Sequence, residues 1–479
     1  MAPYKAETAT ANSQSATVRD RRVIDALSEY RLAPRSTLPK DEIAAAVRAV
    51  GDLPRSTGTV DRIVAVDGSR QETPIAHVDG GTVSACYVRV GLAAIDLVAQ
   101  RRFARDEFVH PVEVAAAAPH ATINYVQPGP GLTLAGAGPL DSWRAATQNM
   151  LARCEVPASI LDGASTETMT LLTALSHLLS PTPLTAATEV AVRRCPACNT
   201  EAGDGSRTLV MVDVTEGGFC PECGVELFAI DALGLDEVFL ASGREGALNA
   251  LMSVSERLTL IALMLLLVRA DPAAASRTLL VADGPLATFS PLQRLTAPML
   301  SLIDAVAEDL ESAGHAPMLL VGVEKGGNFA EHGARIAAQI PPEHVMRLES
   351  DYIRANITGR SAGGRAYGSS NMYGRRFFYR RHRDADGLLT ITVPARAGVM
   401  PWADGAVSAD WDSYPTLRAV IETLAEVPDR NYDSAILPLT QAHAAASIGL
   451  SADTSLASLA QKMLGLPANS HLKAARVWS

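Results

Sequence analysis

The chain has no excess of basic residues: across 479 residues its formal net charge is −10. It cannot hold nucleic acid by bulk charge, so any such site must be concentrated in one place. The first residues are polar and hold no apolar signal core, and the longest apolar run, Leu258 to Val268, is too short to span a bilayer. A cytoplasmic protein with no membrane segment is expected. No G-x-x-x-x-G-K-[ST] phosphate loop occurs, so a nucleotide-driven motor would have to be another chain. Repeats of solenoid period and coiled-coil heptads are also missing. Cysteine is scarce, with six residues in all.

Four of those six fall as Cys195-x-x-Cys198 and Cys220-x-x-Cys223, with 21 residues between the pairs. Two thiolate pairs at this spacing suit a tetrahedral Zn2+ site carried on two turns. Each pair has proline after its first cysteine, and Gly224 follows the last, as in the knuckles of a zinc ribbon. Four sulfur ligands leave no open position, which predicts a structural zinc. Cys86 and Cys154 remain as small buried hydrophobes.

Apolar residues make up 48% of the chain, enough for a large core. Helical spacing covers Val18 to Tyr30 and Lys40 to Val50, after a first segment rich in Ala, Ser and Thr. Short strands are predicted at Arg62 to Val66, Pro74 to Val78, Val83 to Leu92 and Phe108 to Val114, as in an antiparallel meander. Helices follow over Asp141 to Cys154 and Thr166 to Leu179. A strand is predicted at Thr208 to Val214, between the two cysteine pairs. Glu245 to Arg269 is helical throughout and stops before Pro272. Strand Leu279 onward, helix Pro291 to Ser312 and strand Met318 to Val323 give strand-helix-strand order. A further strand, Leu388 to Val393, and helix, Tyr414 to Leu424, lie beyond.

Two strand ends carry an acid into a glycine turn. Ile63-Val64-Ala65-Val66-Asp67-Gly68-Ser69-Arg70 is echoed by Leu279-Leu280-Val281-Ala282-Asp283-Gly284-Pro285-Leu286. Singly, an Asp-Gly pair is also an ordinary turn device. Glu256 adds weight, because it lies in an otherwise apolar helical stretch where a bare carboxylate is costly and needs a partner. A hard cation is one such partner and an arginine is another.

The succession of these segments resembles the NurA nucleases, DNA end-processing enzymes that work with the hexameric ATPase HerA. The matching pieces are the strand Ile63 to Ser69, the helix around Glu256 and the strand Leu279 to Leu286. They continue with Lys325, the segment Leu348-Glu349-Ser350-Asp351-Tyr352, and Leu437-Pro438-Leu439-Thr440-Gln441-Ala442-His443. Order and spacing agree from about residue 60 to 450, and Pro285 departs from the small polar residue more usual there. The resemblance implies an α/β fold with an RNase H-like core, a mixed sheet and flanking helices. It divides the chain into a helical extension (1–60), a first core part (61–190), an inserted zinc ribbon (191–228) and a second core part (229–479). It also implies that Asp67, Glu256 and Asp283 hold one or two catalytic Mn2+ or Mg2+ ions, with Asp351 and His443 nearby and Lys325 as a supporting charge. Oxygen ligands suit those metals, and paired cations could stabilise both the attacking and leaving oxygens of a phosphodiester. On residue chemistry alone, Lys325 could equally be a solvated lysine, and His443 a histidine satisfied on a small-residue helix.

The expected function is therefore a metal-dependent deoxyribonuclease, a phosphodiester hydrolase acting on DNA ends in repair or antiviral defence. Its implied partners are DNA, a HerA-like hexameric ATPase and a second copy in a homodimer. The competing reading is a non-cleaving DNA-end adaptor of that ATPase. For nucleic-acid contact the densest basic island is Arg360, Arg365, Arg375, Arg376, Arg380, Arg381 and Arg383, interleaved with aromatic residues that could stack unpaired bases. A basic strand-edge loop or protein-docking surface is the alternative for that tract.

Overall fold

The computed structural model describes residues 18–30, 43–44, 46–55, 58–78, 81–106, 108–161, 167–201, 209–290, 292–359, 366–381, 388–402, 410–429, 435–449 and 452–466. The chain forms two units, Met1–Pro39 and Lys40–Ser479. In the first, the helix Arg21–Glu29 is capped by the Asp20 side chain, which accepts from Arg22 N–H. None of its residues is buried.

The strands of the second unit are β1 (Val47–Ala49), β2 (Arg62–Val78), β3 (Gly81–Asp96), β4 (His120–Pro128), β5 (Glu189–Val192), β6 (Val210–Asp213), β7 (Gly218–Phe219), β8 (Glu226–Leu227), β9 (Thr278–Asp283), β10 (Leu319–Glu324), β11 (His344–Arg347), β12 (Arg375–Arg380) and β13 (Leu388–Val393). Nine of them build one mixed sheet in the order β1-β11-β12-β13-β10-β9-β2-β3-β4. β2, β3 and β4 form an antiparallel meander, whereas β9 runs parallel to both β2 and β10. The central strands are apolar on both sides: Leu279 to Ala282 and Leu319 to Val323 are all buried. That follows from having helices on both faces.

One face is covered by α1 (Pro139–Arg153), α2 (Leu171–Leu178), α3 (Leu235–Ala270) and α4 (Thr296–Ser312). α5 (Gly327–Ile336) follows β10. The opposite face is covered by α6 (Leu417–Glu426) and α7 (Leu437–Ala446). Side chains alternate accordingly along β2. Val64 and Val66 join the first core, and Ile63 and Ala65 the second. α3 breaks at Gly243, whose φ of 67° and ψ of −174° suit glycine. Its later part is apolar all round because it is buried.

Several expectations need correction. Arg62–Val66 and Pro74–Val78 are one continuous strand, with an irregularity between Pro74 and Ala76. The strand expected at Phe108 to Val114 gives way to the helix Pro111–Ala116, because His110 caps it, accepting from Val112 N–H at 3.2 Å, and proline occupies its first turn. In place of the end of a Lys40 to Val50 helix, Val47–Ala49 pairs antiparallel with β11, while Lys40 to Glu42 lie outside the described residues. The arginine tract contributes an interior strand, β12, paired on both edges. Its members Arg360, Arg365 and Arg383 lie outside the described residues.

Candidate functional site

The parallel register sets the site. Val66 lies opposite Ala282 and Asp283 opposite Val323, so Asp67, Asp283 and Lys325 lie side by side where the parallel pairing of β2, β9 and β10 stops, with Asp67 inside β2, which runs on to Val78. The carboxyl ends of parallel strands are where open α/β sheets place their ligands. Lys325 Nζ lies 2.9 Å from Asp67 Oδ2 and 3.3 Å from Asp283 Oδ2, bridging the two acids. His443 Nδ1 lies 2.8 Å from the same Asp67 oxygen. Asp67 is 2% exposed, whereas the His443 side chain is 59% exposed.

A glycine makes this approach possible. Gly91 is the cross-strand partner of Asp67, and a methyl there would overlap Ala442 O and stand 2.5 Å from Ala446 N. α7 therefore lies directly on the sheet and carries His443 to Asp67. Asp67-Gly68, expected as a glycine turn, stays in strand, with Gly68 paired to Val90, whereas Asp283-Gly284 does turn at the end of β9, with φ of 75° at Gly284. A methyl on Gly322 would overlap Gly284 O and approach Leu286 N to 2.8 Å, while Gly284 N–H donates to Val323 O at 2.9 Å.

Glu256 enters from α3, on the opposite face of β2. Its carboxylate lies against the backbone of Gly68, where any Cβ would overlap Oε1. Burial pushes Glu256 up to about 8; Arg257 opposes the shift, and Asp67 and Asp283 add to it. Burial likewise pushes Asp283 up to about 6, with Asp67 adding and Lys325 opposing. For Lys325, burial favours the neutral amine, yet Asp283 and Asp67 outweigh it and hold its pKa above the ordinary value. Glu256, Asp283 and Lys325 thus share one partly desolvated electrostatic cluster with Asp67. Arg257 supports the cluster from beneath, with Nη1 3.8 Å from Glu256 Oε2 and Nη2 donating to Pro285 O at 3.2 Å.

The Asp351 carboxylate is 87% exposed and lies 3.6 Å from Arg354, a contact outside the Asp67, Asp283, Lys325 and His443 set. The neighbouring Glu349 is engaged elsewhere, with Arg347 at 2.6 Å and with Arg375.

The four described arginines of the tract, Arg375, Arg376, Arg380 and Arg381, are turned toward protein partners. Arg376 is buried, pairs with Glu324, donates to Tyr367 Oη at 2.7 Å and lies over the Phe329 ring at 3.8 Å. Arg375 is buried beneath Trp402 and donates to Pro401 O. Arg381 is buried and donates to Ala435 O, and the half-buried Arg380 donates to Ile340 O. Guanidiniums spent on such partners cannot present a cationic surface, which corrects the reading of this tract as a strand guide. Residue type and spacing gave no sign of it, because a strand interior and a basic loop share that composition.

The cysteines form a second centre. Sγ of Cys195 is 3.7 Å from that of Cys223, and Sγ of Cys198 is 3.8 Å from that of Cys220. All four sulfurs lie within 4.8 Å of one another. Tight turns present them: Asn199 N–H donates to Cys195 O and Gly224 N–H to Cys220 O, with φ of 58° and 70° at Asn199 and Gly224. Four thiols so placed could bind a structural metal such as zinc. Among the described residues this is the only group of three or more Cys, His, Asp or Glu with donor atoms so close together. Cys86 is buried and Cys154 half-buried, and burial pushes both thiols up to about 11, which leaves them inert at neutral pH.

No known family's sequence model matches the chain, and no curated protein matches it.

Proposed function

We propose that the protein is a metal-dependent deoxyribonuclease whose centre is Asp67, Asp283 and Glu256, with Lys325 and His443 beside them. The observation that carries this reading is the bridge from Lys325 Nζ to Asp67 and Asp283 where the parallel pairing of adjacent strands stops, with Glu256 coupled to both acids. An RNase H-like core is part of the proposal. What supports it is the antiparallel meander β4-β3-β2 continued by β9 and β10 parallel to β2.

The donor set suits a hard divalent cation. It offers carboxylate oxygens whose pKa values are raised first by burial and further by one another's charge. Asp67 and Asp283 would hold such an ion from one face of β2 and Glu256 would reach it across Gly68. When bound, Mn2+ or Mg2+ supplies an activated water and polarises the scissile phosphate. Lys325, between the acids, would then turn to charge developing on the phosphate. His443, held through Nδ1 by Asp67, keeps Nε2 for a proton at the reacting oxygens. The four cysteines are proposed to hold a structural Zn2+.

The resemblance to the NurA nucleases remains part of this proposal, with DNA ends as substrate, a HerA-like ATPase as motor and a homodimer as the working form. The lack of any phosphate-loop motif in the sequence supports a motor on a separate chain. The test is cleavage of linear DNA and single-stranded oligodeoxynucleotides in Mn2+, comparing the native protein with Asp67→Ala. Loss of cleavage by at least ~10³-fold is expected if metal and nucleophile depend on Asp67. Cleavage unaffected by the substitution would remove the site assignment, and native protein that binds DNA without cutting it would favour the adaptor reading.

A further inference from the structure

With Arg375, Arg376 and Arg381 buried, a nucleic-acid contact is sought among the groups beside the acids. Arg89 lies on β3, opposite Ser69 and two residues before Gly91, the partner of Asp67. Residues two apart on a strand share a face and stand ~7 Å apart, so Arg89 projects on the face of Asp67 and α7. Its guanidinium is held in place. Nε donates to Asn124 Oδ1 at 2.6 Å and Nη1 to Ser447 O at 3.1 Å. Asn124 is itself fixed by a 2.9 Å bond from Nδ2 to Thr122 Oγ1. Ser447 lies one turn beyond His443 and donates from Oγ to His443 O at 2.9 Å. Arg89 is thus tied to the same helix that brings His443 to Asp67. Neither of its partners is a carboxylate, so its charge is not neutralised by an ion pair.

We propose that Arg89 is a positioning residue that binds the phosphate backbone of a single DNA strand next to the acid cluster, as the anchor of a short track that leads across the sheet end toward Lys325 and His443. Charge complementarity selects the occupant. In an acidic chain, a guanidinium with no carboxylate partner among the described residues lies on the face of the acids, which need a substrate held against their repulsion. A guanidinium with one edge fixed by amide and carbonyl oxygens keeps its remaining N–H groups for a phosphate, which it can grip through two oxygens. No base edge is read, so the track is indifferent to sequence and steeply dependent on salt.

This inference rests on the nuclease reading, and its test separates the two. Fluorescence anisotropy with a labelled single-stranded oligodeoxynucleotide in Ca2+ would compare native protein, Arg89→Gln, Arg89→Lys and Arg101→Gln. Arg101 pairs with Glu426 on a helix away from the acids and serves as the control. Arg89→Gln is expected to weaken binding about 10-fold at low salt and to reduce the slope of log affinity against log salt by ~0.7, the loss of one single-strand phosphate contact. Arg89→Lys should keep the slope and lose part of the affinity. An unchanged slope and affinity in Arg89→Gln, alongside native protein that cleaves in Mn2+, would overturn the track alone. Native protein that neither binds nor cleaves would overturn both readings. If Arg89→Gln fails to fold, Asn124→Ala, which releases the guanidinium without removing it, is expected to weaken binding severalfold with the slope retained, and unchanged affinity there would overturn the proposal.

Discussion

Gly91 stands directly opposite Asp67 in the β2–β3 pair, and the helix that carries His443 crosses the sheet at that glycine. The geometry of the acid cluster therefore depends on a missing side chain. Gly91→Ala is expected to push α7 off the sheet, destabilise the fold by ~1–3 kcal/mol and lengthen the His443–Asp67 contact. Urea unfolding checks the first effect and cleavage the second. Native-like values in both would show that α7 does not rely on this contact.

Stability should fall with rising pH while the acids lack a divalent cation. Glu256 and Asp283 have folded pKa values above their ordinary ones, so the folded state binds more protons than the unfolded one between those values. Their contribution is full below the ordinary carboxyl range and is lost as pH rises through about 6 and then about 8. Each extra bound proton contributes a slope of ~1.4 kcal/mol per pH unit. Glu256→Gln should flatten the upper part of the curve, and saturating Mn2+ should flatten it in the native protein. Urea midpoints from pH ~5 to ~8.5, with zinc retained, measure this; a native curve parallel to that of Glu256→Gln would contradict it.

Arg376 should prove structural. Its ion pair with Glu324 is buried, and removing one partner of such a pair costs ~3–5 kcal/mol. Arg376→Ala is expected to lower the thermal midpoint sharply while folded protein keeps the native salt slope for DNA. A stable variant with a shallower slope would return this arginine to the binding surface.

The cysteine centre predicts one zinc per chain. Cys198 is exposed at the surface, so Cys198→Ser removes little packing and mainly a ligand. Its effect should be loss of stoichiometric zinc and local unfolding of the ribbon, with Mn2+-dependent cleavage by the acid cluster retained. Atomic emission and limited proteolysis read the first two, and purified native protein without zinc would refute the assignment.

Much of this was readable in advance because it lay in local patterns. Asp67 and Asp283 each follow an apolar run, although only Asp283-Gly284 is a turn and Asp67-Gly68 continues as strand, and the cysteine spacing fixes its own geometry. The strand-helix-strand order over 279–323 also carried through, as β9, α4 and β10. What escaped was set by packing between distant elements. The destiny of Arg375 and Arg376 depends on Glu349, just after β11, and Glu324 in β10, which no local pattern announces. Asp351 and Glu349 are neighbours of equal charge, and only the fold decides which is held. Gly91 did leave a trace: an isolated glycine within a strand pattern signals close backbone approach. The helix Pro111–Ala116 could also have been read from proline following a capping histidine.

The central claim is most directly tested by diffraction from crystals soaked in Mn2+ with anomalous scattering recorded. The account predicts a manganese peak within coordination distance of Asp67 and Asp283, Glu256 turned toward it, and Lys325 moved off the bridge. Manganese bound elsewhere, with Lys325 still spanning the two carboxylates at saturating metal, would contradict it.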